Sequence, residues 1–153
     1  PNVEACNKFK KTLGINPNLA EKITLHNFGL SDINSTLKMR SKVKHGYAQT
    51  GGSVLHNNQN LKNIKIFDAN FKVADDLFDI RNSILAIKID VEGQEYNVLQ
   101  GLKKIINSNK CILQLEIFSK NYNKVNNFLV ENKFYKINEV KKGFNYFYTN
   151  IEK

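Results

Sequence analysis

Several residue types are scarce in this chain, and each scarcity excludes a class of protein. Its 153 residues include two cysteines, two prolines and no tryptophan. Cys6 and Cys111 form neither a CxxC pair nor a Cys/His cluster, so no metal site is indicated and no metal is expected. Both lie in apolar patterns and are interpreted as small core residues, which predicts a reducing, cytoplasmic environment. No apolar run approaches the roughly 20 residues that span a bilayer, so no membrane segment is predicted.

The signatures of two enzyme classes are absent as well. The chain has no G-x-S-x-G, which disfavours a serine hydrolase, and it has no P-loop. Its histidines share no spacing: His26 falls in a predicted strand, whereas His45 and His56 fall in a polar loop. The sequence therefore indicates neither a serine–histidine nucleophile nor a nucleotide-binding phosphate loop.

The net charge of +9 raises the question of an anionic partner. The lysines are scattered along the chain, and arginine occurs only as Arg40 and Arg81. A nucleic-acid footprint needs clustered positive charge, so a solvated basic surface is favoured, and we expect neither a nucleic-acid nor a membrane partner. The length and the 41% apolar content suit one domain with a hydrophobic core. The chain begins with Pro1 and shows no signal peptide, which suggests a fragment or a processed protein.

The first half of the chain gives short and scattered structural signals. Apolar residues at helical spacing predict a helix over residues 3–14, with Asn2 as its N-cap. Residues 33–63 look polar and irregular and are too long for a structureless connector, so we expect part of this region to be a functional loop or lid. The other predicted elements are strands at 23–28, 64–67 and 72–74, and a helical turn that begins at residue 75.

The second half alternates strands and helices. A strand at 85–90 is followed by an amphipathic helix at 94–107, and a strand at 111–117 is followed by a helix that begins at Ser119 or Asn121. Two terminal strands, 134–140 and 144–149, flank a short turn and predict an antiparallel hairpin. This order predicts an α/β fold with a mostly parallel sheet and one antiparallel edge.

The most informative stretch is Lys88-Ile89-Asp90-Val91-Glu92-Gly93-Gln94-Glu95, followed by Tyr96-Asn97-Val98-Leu99-Gln100-Gly101. It reads as a buried strand that ends in acids, then a tight turn, then a helix. Acids at the carboxyl end of a strand lie where open α/β sheets bind ligands. Glu116 lies near the end of the next strand, and strands joined by a crossover helix are often neighbours. We therefore expect Asp90, Glu92 and Glu116 around one crevice.

Each acid also has a plain structural explanation. Asp90 and Glu92 are placed to cap the helix that follows, and Glu95 lies in its first turn, where an acid suits the helix dipole. Glu116 is placed to form an ion pair with Lys88 on the neighbouring strand. Alternatively, clustered acids raise one another's pKa, which suits a general base. They are also the ligands of Mg²⁺, although nothing in the sequence requires that ion.

The pattern K-I-D-V-E-G-x-E-x-x-V-L-x-G closely resembles the hallmark of the FkbM-type S-adenosylmethionine-dependent methyltransferases. Other segments resemble the same family, so that the likeness covers about residues 1–118. One departure is Ala74, which lies in the stretch that the family usually has as V-T-L-D-D-L. The other similar segments are Pro1-Asn2, Asn27-Phe28-Gly29-Leu30-Ser31-Asp32, Gly51-Gly52-Ser53, Val73-Ala74-Asp75-Asp76-Leu77 and Ile112-Leu113-Gln114-Leu115-Glu116.

The resemblance implies a class I, Rossmann-like methyltransferase fold whose first strand and glycine-rich loop are missing, so that residues 1–153 are a partial domain. It implies S-adenosylmethionine as the cofactor. Pro1-Asn2 is similar to the end of a Glu-Pro-Asn segment whose acid holds the ribose, and Gly29, Ser31 and Asp32 are similar to residues near the adenine. All five are expected to bind the cofactor. The missing central strand would leave edges and apolar faces uncovered, so we expect poor stability or aggregation.

FkbM-type enzymes methylate hydroxyls on sugars and polyketides. The resemblance therefore implies an O-methyltransferase with a small-molecule or glycan hydroxyl as acceptor, and with Asp90, Glu92 and Glu116 as catalytic residues. Transfer to an amide or base nitrogen is disfavoured, because such enzymes usually carry an Asn/Asp-Pro-Pro-Tyr/Phe motif. The alternative is a non-catalytic module, either a degenerate methyltransferase half or a basic anion-binding domain. Cofactor binding and salt-sensitive binding to nucleic acid would discriminate between these. The acceptor and the oligomeric state stay open.

Overall fold

The chain has a mixed α/β fold. A computed structural model describes residues 1–44, 47–48, 53–54, 63–140 and 144–152. It divides into two compact units, of which the first comprises Pro1–Gly29 and Asn34–Phe71 and the second Leu30–Ile33 and Lys72–Lys153.

The first unit begins with helix α1 (Val3–Gly14), as predicted. The Asn2 side chain caps it, because its Oδ1 accepts from the backbone N–H of Glu4 at 2.9 Å and of Ala5 at 3.2 Å. A short helix α2 (Pro17–Ala20) follows, with proline at its first position. The predicted strand at 23–28 was wrong: these residues are irregular. No described strand pairs with them, and strand propensity without a hydrogen-bonded neighbour does not make a strand.

The sheet of the first unit contains a long antiparallel pair. Its strands are β1 (Gly29–Leu30), β2 (Ser35–Lys44), β3 (Tyr47–Ala48), β4 (Ser53–Val54) and β5 (Ile64–Lys72). β5 pairs with β2 from Ser35↔Phe71 to Lys42↔Ile64, β3 and β4 also pair with β2, and β1 lies beside β5.

Irregular structure was expected over 33–63, and for ten of these residues the expectation was wrong, because they form β2. Along β2, Met39 and Ser41 are buried whereas Lys38 and Lys42 are exposed. A serine at a buried position hides the apolar alternation by which a strand is recognised in a sequence. Of the Gly-Gly-Ser segment in this region, Gly51 and Gly52 lie outside the described residues, and Ser53 begins β4.

The second unit holds the elements that follow. They are α3 (Ala74–Leu77), β6 (Ile84–Ile89), α4 (Glu95–Gly101), α5 (Lys103–Asn107), β7 (Lys110–Glu116), α6 (Ser119–Glu131), β8 (Tyr135–Val140) and β9 (Asn145–Thr149). The prediction of one helix over 94–107 was wrong, because the helix is interrupted at Leu102 and a second helix, α5, begins after it. The Asp75 carboxylate accepts from the backbone N–H of Lys104 at 2.8 Å and of Ile105 at 3.0 Å, which caps α5 from another segment.

The strands of the second unit form one sheet in the order β6-β7-β9-β8. β6 and β7 are parallel, with register from Ile84↔Lys110 to Ile89↔Leu115. β9 pairs antiparallel with both β7 and β8, which confirms the terminal hairpin. Among the described strands of this sheet, β6 and β7 therefore form the parallel pair.

The core of the second unit lies between its sheet and its helices. Leu113 and Leu115 of β7 are fully buried against α4, α5 and α6, and Tyr148 of β9 is buried with them. The opposite face of the sheet is open at Ile84 and Ile112, which are 77% and 43% exposed. The helix residues of this core are Val98, Leu99, Leu102, Ile105, Ile106, Val125, Phe128 and Leu129. Within the described residues, no helix combines the length and the apolar character that crossing a bilayer requires.

Candidate functional site

The carboxyl ends of the parallel strands β6 and β7 lie at one edge of their sheet. The last paired residues are Ile89 and Leu115, so Asp90, which follows β6, and Glu116, the final residue of β7, each come one residue after this pair. Ile89 and Leu115 are buried towards the helices. Because side chains alternate along a strand, Asp90 and Glu116 lie on the opposite, open face of the sheet. The structure thus brings two of the three predicted catalytic acids to one edge and one face.

Lys88 shares this face with Asp90. Its Nζ lies 3.1 Å from Asp90 Oδ2, and the two side chains are 57% and 39% exposed. The sequence had suggested an ion pair between Lys88 and Glu116 instead. At this exposure the observed pair stabilises the fold by no more than about 1 kcal/mol, so it mainly orients the Asp90 carboxylate.

Glu92 lies in a tight turn between β6 and α4. Its φ angle is 53° and that of Gly93 is 101°, so two consecutive residues adopt the left-handed region. Glycine tolerates such an angle at little cost, whereas glutamate does so rarely. The exposed Glu92 side chain therefore owes its direction to an unusual backbone conformation.

The peptide groups of Gly93 are bonded on two sides. The Gly93 N–H donates to Glu95 Oε1 at 2.7 Å, and the Gly93 carbonyl accepts from Asn121 Nδ2 at 3.1 Å. Glu95 is 0% exposed, and its second oxygen, Oε2, has no hydrogen-bond partner among the described residues. The helix-dipole explanation for Glu95 does not account for this burial. Asn121, which the sequence suggested only as a helix cap, has no signal in the sequence that links it to Gly93.

Ser31 and Asp32, two predicted cofactor residues, lie beside the end of α4. Ser31 is buried, its Oγ donates to Asp32 Oδ1 at 3.0 Å, and its N–H donates to the Lys72 carbonyl at 3.0 Å. Asp32 is exposed. No hydrogen bond or ion pair within the described residues joins this pair to Asp90 or to the other two acids.

The other predicted cofactor residues belong to the first unit. Pro1 is half-buried, and the Asn2 side chain is engaged in capping α1. Gly29 has no room for a side chain, since a β-carbon there would lie 2.4 Å from the ring of Phe71. The Asn2 side chain thus has a structural role, because its oxygen is used in the cap. Its side-chain N–H groups stay available to a ligand.

A cavity of about 480 Å³ lies elsewhere in the second unit, near the amino end of β7. None of its lining residues is a predicted site residue. In the part of the chain that the structure describes, no group of three or more His, Cys, Asp or Glu side chains is placed to hold a metal ion. The cavity is lined by Asn107, Glu131, Asn132, Lys133, Tyr135, Asn150 and Glu152.

Comparison with known proteins gives one sequence match and one structural match. The family described as "Methyltransferase FkbM domain" matches residues 1–146. A crystal structure of Methyltransferase FkbM from Methylobacillus flagellatus KT is similar to this chain, with a TM-score of 0.63 and 16% identity. The alignment covers 97% of this chain and 34% of that one, so the chain spans about a third of its solved relative. No curated protein sequence matches.

Proposed function

This chain belongs to the FkbM methyltransferase family, and from that premise we propose that it transfers a methyl group from S-adenosylmethionine to a hydroxyl oxygen. The acceptor that we propose is a sugar, a glycan or a hydroxylated natural product. Members of the family generally depend on S-adenosylmethionine, which supplies a methyl group bound to a positively charged sulfur. The chain covers 34% of its solved relative, so the activity is proposed for the protein to which these residues belong.

The register of β6 and β7 is the observation that carries the proposal. It aligns Asp90 with Glu116 at the carboxyl edge of a parallel pair, which is where α/β sheets bind ligands. A hydroxyl that accepts a methyl group must lose its proton, and a carboxylate within hydrogen-bond reach can accept it. In this proposal Asp90 and Glu116 orient the acceptor hydroxyl and take up its proton, and Glu92 adds a third acceptor on the same edge.

The cofactor needs hydrogen-bond acceptors for its hydroxyl and amino groups. Asp32 fits that need, because its side chain is exposed and, among the described residues, it is engaged by the Ser31 hydroxyl at Oδ1 alone. Asn2 fits less well, because its carbonyl oxygen already accepts two backbone N–H groups. We therefore propose that Ser31 and Asp32 are the main cofactor-binding residues of this chain. Pro1, Asn2 and Gly29 make smaller contributions to cofactor binding.

Three further features belong to the proposal. The parallel pair, with its helices on one face, is the part of a class I, Rossmann-like domain that these residues would contribute. The free cysteines Cys6 and Cys111 suit a reducing compartment, which supports a cytoplasmic location. The dispersed lysines support a small-molecule or glycan partner over nucleic acid or membrane.

The test is transfer of label from methyl-labelled S-adenosylmethionine to a panel of sugars and hydroxylated natural products. We expect product with one acceptor class, and a loss of kcat of about 10²-fold or more in Asp90→Asn or Glu116→Gln, in the range measured for general bases. Glu92→Gln should also lower kcat. Asp79→Asn is the matched control, because Asp79 is an exposed acid that pairs with Arg81 outside the site.

Binding of S-adenosylhomocysteine, measured by calorimetry, separates the possible results. Binding without transfer in every acceptor class would support a degenerate, non-catalytic module. No binding, together with salt-sensitive affinity for a nucleic acid, would overturn the proposal in favour of an anion-binding domain. Full activity in all three acid variants would remove these acids from the mechanism.

A further inference from the structure

We propose that Glu95 and Asn121 are positioning residues, which hold the Gly93 peptide groups from two sides and thereby set the direction of the Glu92 carboxylate. The inference rests on the proposed function in one respect, the part that Glu92 plays in the reaction. The holding itself is a structural property that can be measured without any substrate.

The backbone at Glu92 and Gly93 needs such support. Both residues have positive φ angles, 53° and 101°, and a glutamate leaves that region readily unless its surroundings hold it there. Glu92 is also exposed, so its own side chain gains no packing that would keep the turn in place. The stabilising contacts must therefore act on the backbone of the turn.

Glu95 supplies the first contact. Its Oε1 accepts from the Gly93 N–H at 2.7 Å. The side chain is 0% exposed and its Oε2 lacks a partner among the described residues. A buried carboxylate with a free oxygen destabilises the fold, whereas an exposed glutamate at the same place would suit the helix dipole without that penalty. The burial of Glu95 therefore favours a role in positioning the turn over a role in stabilising the fold.

Asn121 supplies the second contact, from a different helix. Its Nδ2 donates to the Gly93 carbonyl at 3.1 Å across a separation of 28 residues. Helix α6, which carries Asn121, packs against α4, where the rings of Tyr96 and Phe128 meet edge to face with centroids 5.6 Å apart. The donor is thus mounted on an element that is fixed to the helix following the turn.

Together the two contacts bond both the N–H and the carbonyl of Gly93. A residue that is bonded at both its groups cannot rotate without breaking one of them, so the φ and ψ angles of the turn are restricted. Glu92 precedes Gly93 directly, and Asp90 lies two residues further back at the end of β6. Holding Gly93 therefore holds Glu92 at a constant place relative to Asp90.

Amide hydrogen exchange of Gly93, followed by NMR in the absence of cofactor, tests the holding. We expect exchange about tenfold faster or more in Glu95→Ala, and within about twofold of wild type in Glu95→Gln, which keeps an acceptor oxygen. Asn121→Ala should also raise the exchange rate, and it keeps the proposal testable if Glu95→Ala fails to fold. Asn123→Ala, an exposed asparagine on the same helix, is the matched control and should change nothing. Unchanged exchange in Asn121→Ala and in a folded Glu95→Ala would overturn the proposal.

A double-mutant cycle with Glu92→Gln tests the link to the reaction. We expect Asn121→Ala to lower kcat about tenfold when Glu92 is present and less than about twofold in the Glu92→Gln background. Equal losses in both backgrounds would show that Asn121 does not act through Glu92. If the wild type transfers no methyl group, the proposed function and this catalytic link both fail, while the exchange rates still decide whether the turn is held.

Discussion

A β-carbon placed on Gly101 would lie 2.1 Å from the carbonyl oxygen of Ser31. The backbone of the segment that carries Ser31 and Asp32 thus rests directly on the last residue of α4, where no side chain fits. This contact gives the final glycine of the K-I-D-V-E-G-x-E-x-x-V-L-x-G pattern a physical meaning. It lets a distant part of the chain pack against the helix that follows the acid-bearing turn.

Gly101→Ala should be among the most destabilising single-methyl changes in this chain. The contact is with backbone, which has little freedom to yield, so we expect a loss of about 3 kcal/mol, the upper end of overpacking costs. Urea unfolding measures it. Gln100→Ala, at the exposed neighbouring position, should stay within about 0.5 kcal/mol of wild type. Equal stabilities for the two variants would mean that Ser31 and Gly101 do not meet in solution.

Gly93→Ala should destabilise the protein through its backbone angle alone. The added β-carbon would approach only Asn121 Nδ2, at an ordinary 3.6 Å, but φ is +101°. We expect a loss of about 1–3 kcal/mol, the usual cost of such a conformation. Gly14→Ala is the control, because Gly14 ends α1 with nothing within 4 Å, and there alanine should be neutral or stabilise by up to about 1 kcal/mol. A neutral Gly93→Ala would contradict the left-handed turn.

Asp75→Ala should weaken the start of α5. The carboxylate accepts from two backbone N–H groups that have no partner within the helix, and losing such a cap costs about 0.5–2 kcal/mol. Asp75→Asn keeps one acceptor oxygen and should fall between alanine and wild type. Thermal unfolding provides the measurement, with Asp79→Ala as an exposed acid for comparison. If both substitutions have the same small effect, Asp75 is not the cap.

Tyr148→Phe should change how stability depends on pH. Burial of the hydroxyl, which donates to Asn126 Oδ1 at 2.8 Å, raises the pKa of Tyr148 above its ordinary value of 10.0, and the neighbouring Tyr122 adds to this rise. The unfolded chain therefore loses this proton first, so the contribution of Tyr148 to the free energy of unfolding is fully present below pH 10 and is lost as pH rises above it. The variant lacks this group, and its stability should fall less steeply between about pH 9 and pH 11. An identical slope in the two proteins would rule out the shifted pKa.

The two thiols should react at very different rates with Ellman's reagent. Cys111 is 0% exposed and burial raises its pKa, whereas Cys6 is half-buried and hydrogen-bonded through Sγ to Asn27 Oδ1 at 3.2 Å. The thiolate is the reactive form, so Cys6 should react first in the native protein, and Cys111 should react only on unfolding. Cys6→Ser should remove the fast phase, and Cys111→Ser should leave it. A fast phase that persists in Cys6→Ser would contradict the burial of Cys111.

The elements with regular periodicity were predictable from the sequence. Helix α1, the strands β6 and β7 and the terminal hairpin follow patterns in which apolar residues mark the buried face. β2 was not recognised, because Ser41 and other polar residues occupy positions on its inner face. The break at Leu102 was hidden for another reason, since the carboxylate that caps the new helix belongs to Asp75, which lies far away in the sequence.

The candidate site was predictable to the extent that strand ends define it. The order of strands and helices is sufficient to place Asp90 beside Glu116 at one edge. Hydrogen bonds between distant segments are a different matter, because they depend on how helices pack. The contact of Asn121 with Gly93 and the burial of Glu95 are of this kind, and neither leaves a mark in the local pattern.

Strand β6 has consequences for how the protein behaves in concentrated solution. It pairs with β7, and within the described residues no strand lies along its other edge, which is flanked by the exposed Ile84. Such an edge accepts a strand from a second molecule unless charge prevents it. The net charge of +9 keeps molecules apart, and salt weakens this repulsion, which acts over about 10 Å at 0.1 M. The protein should therefore stay dispersed most readily in dilute, low-salt buffers, and its solubility should decrease as ionic strength rises.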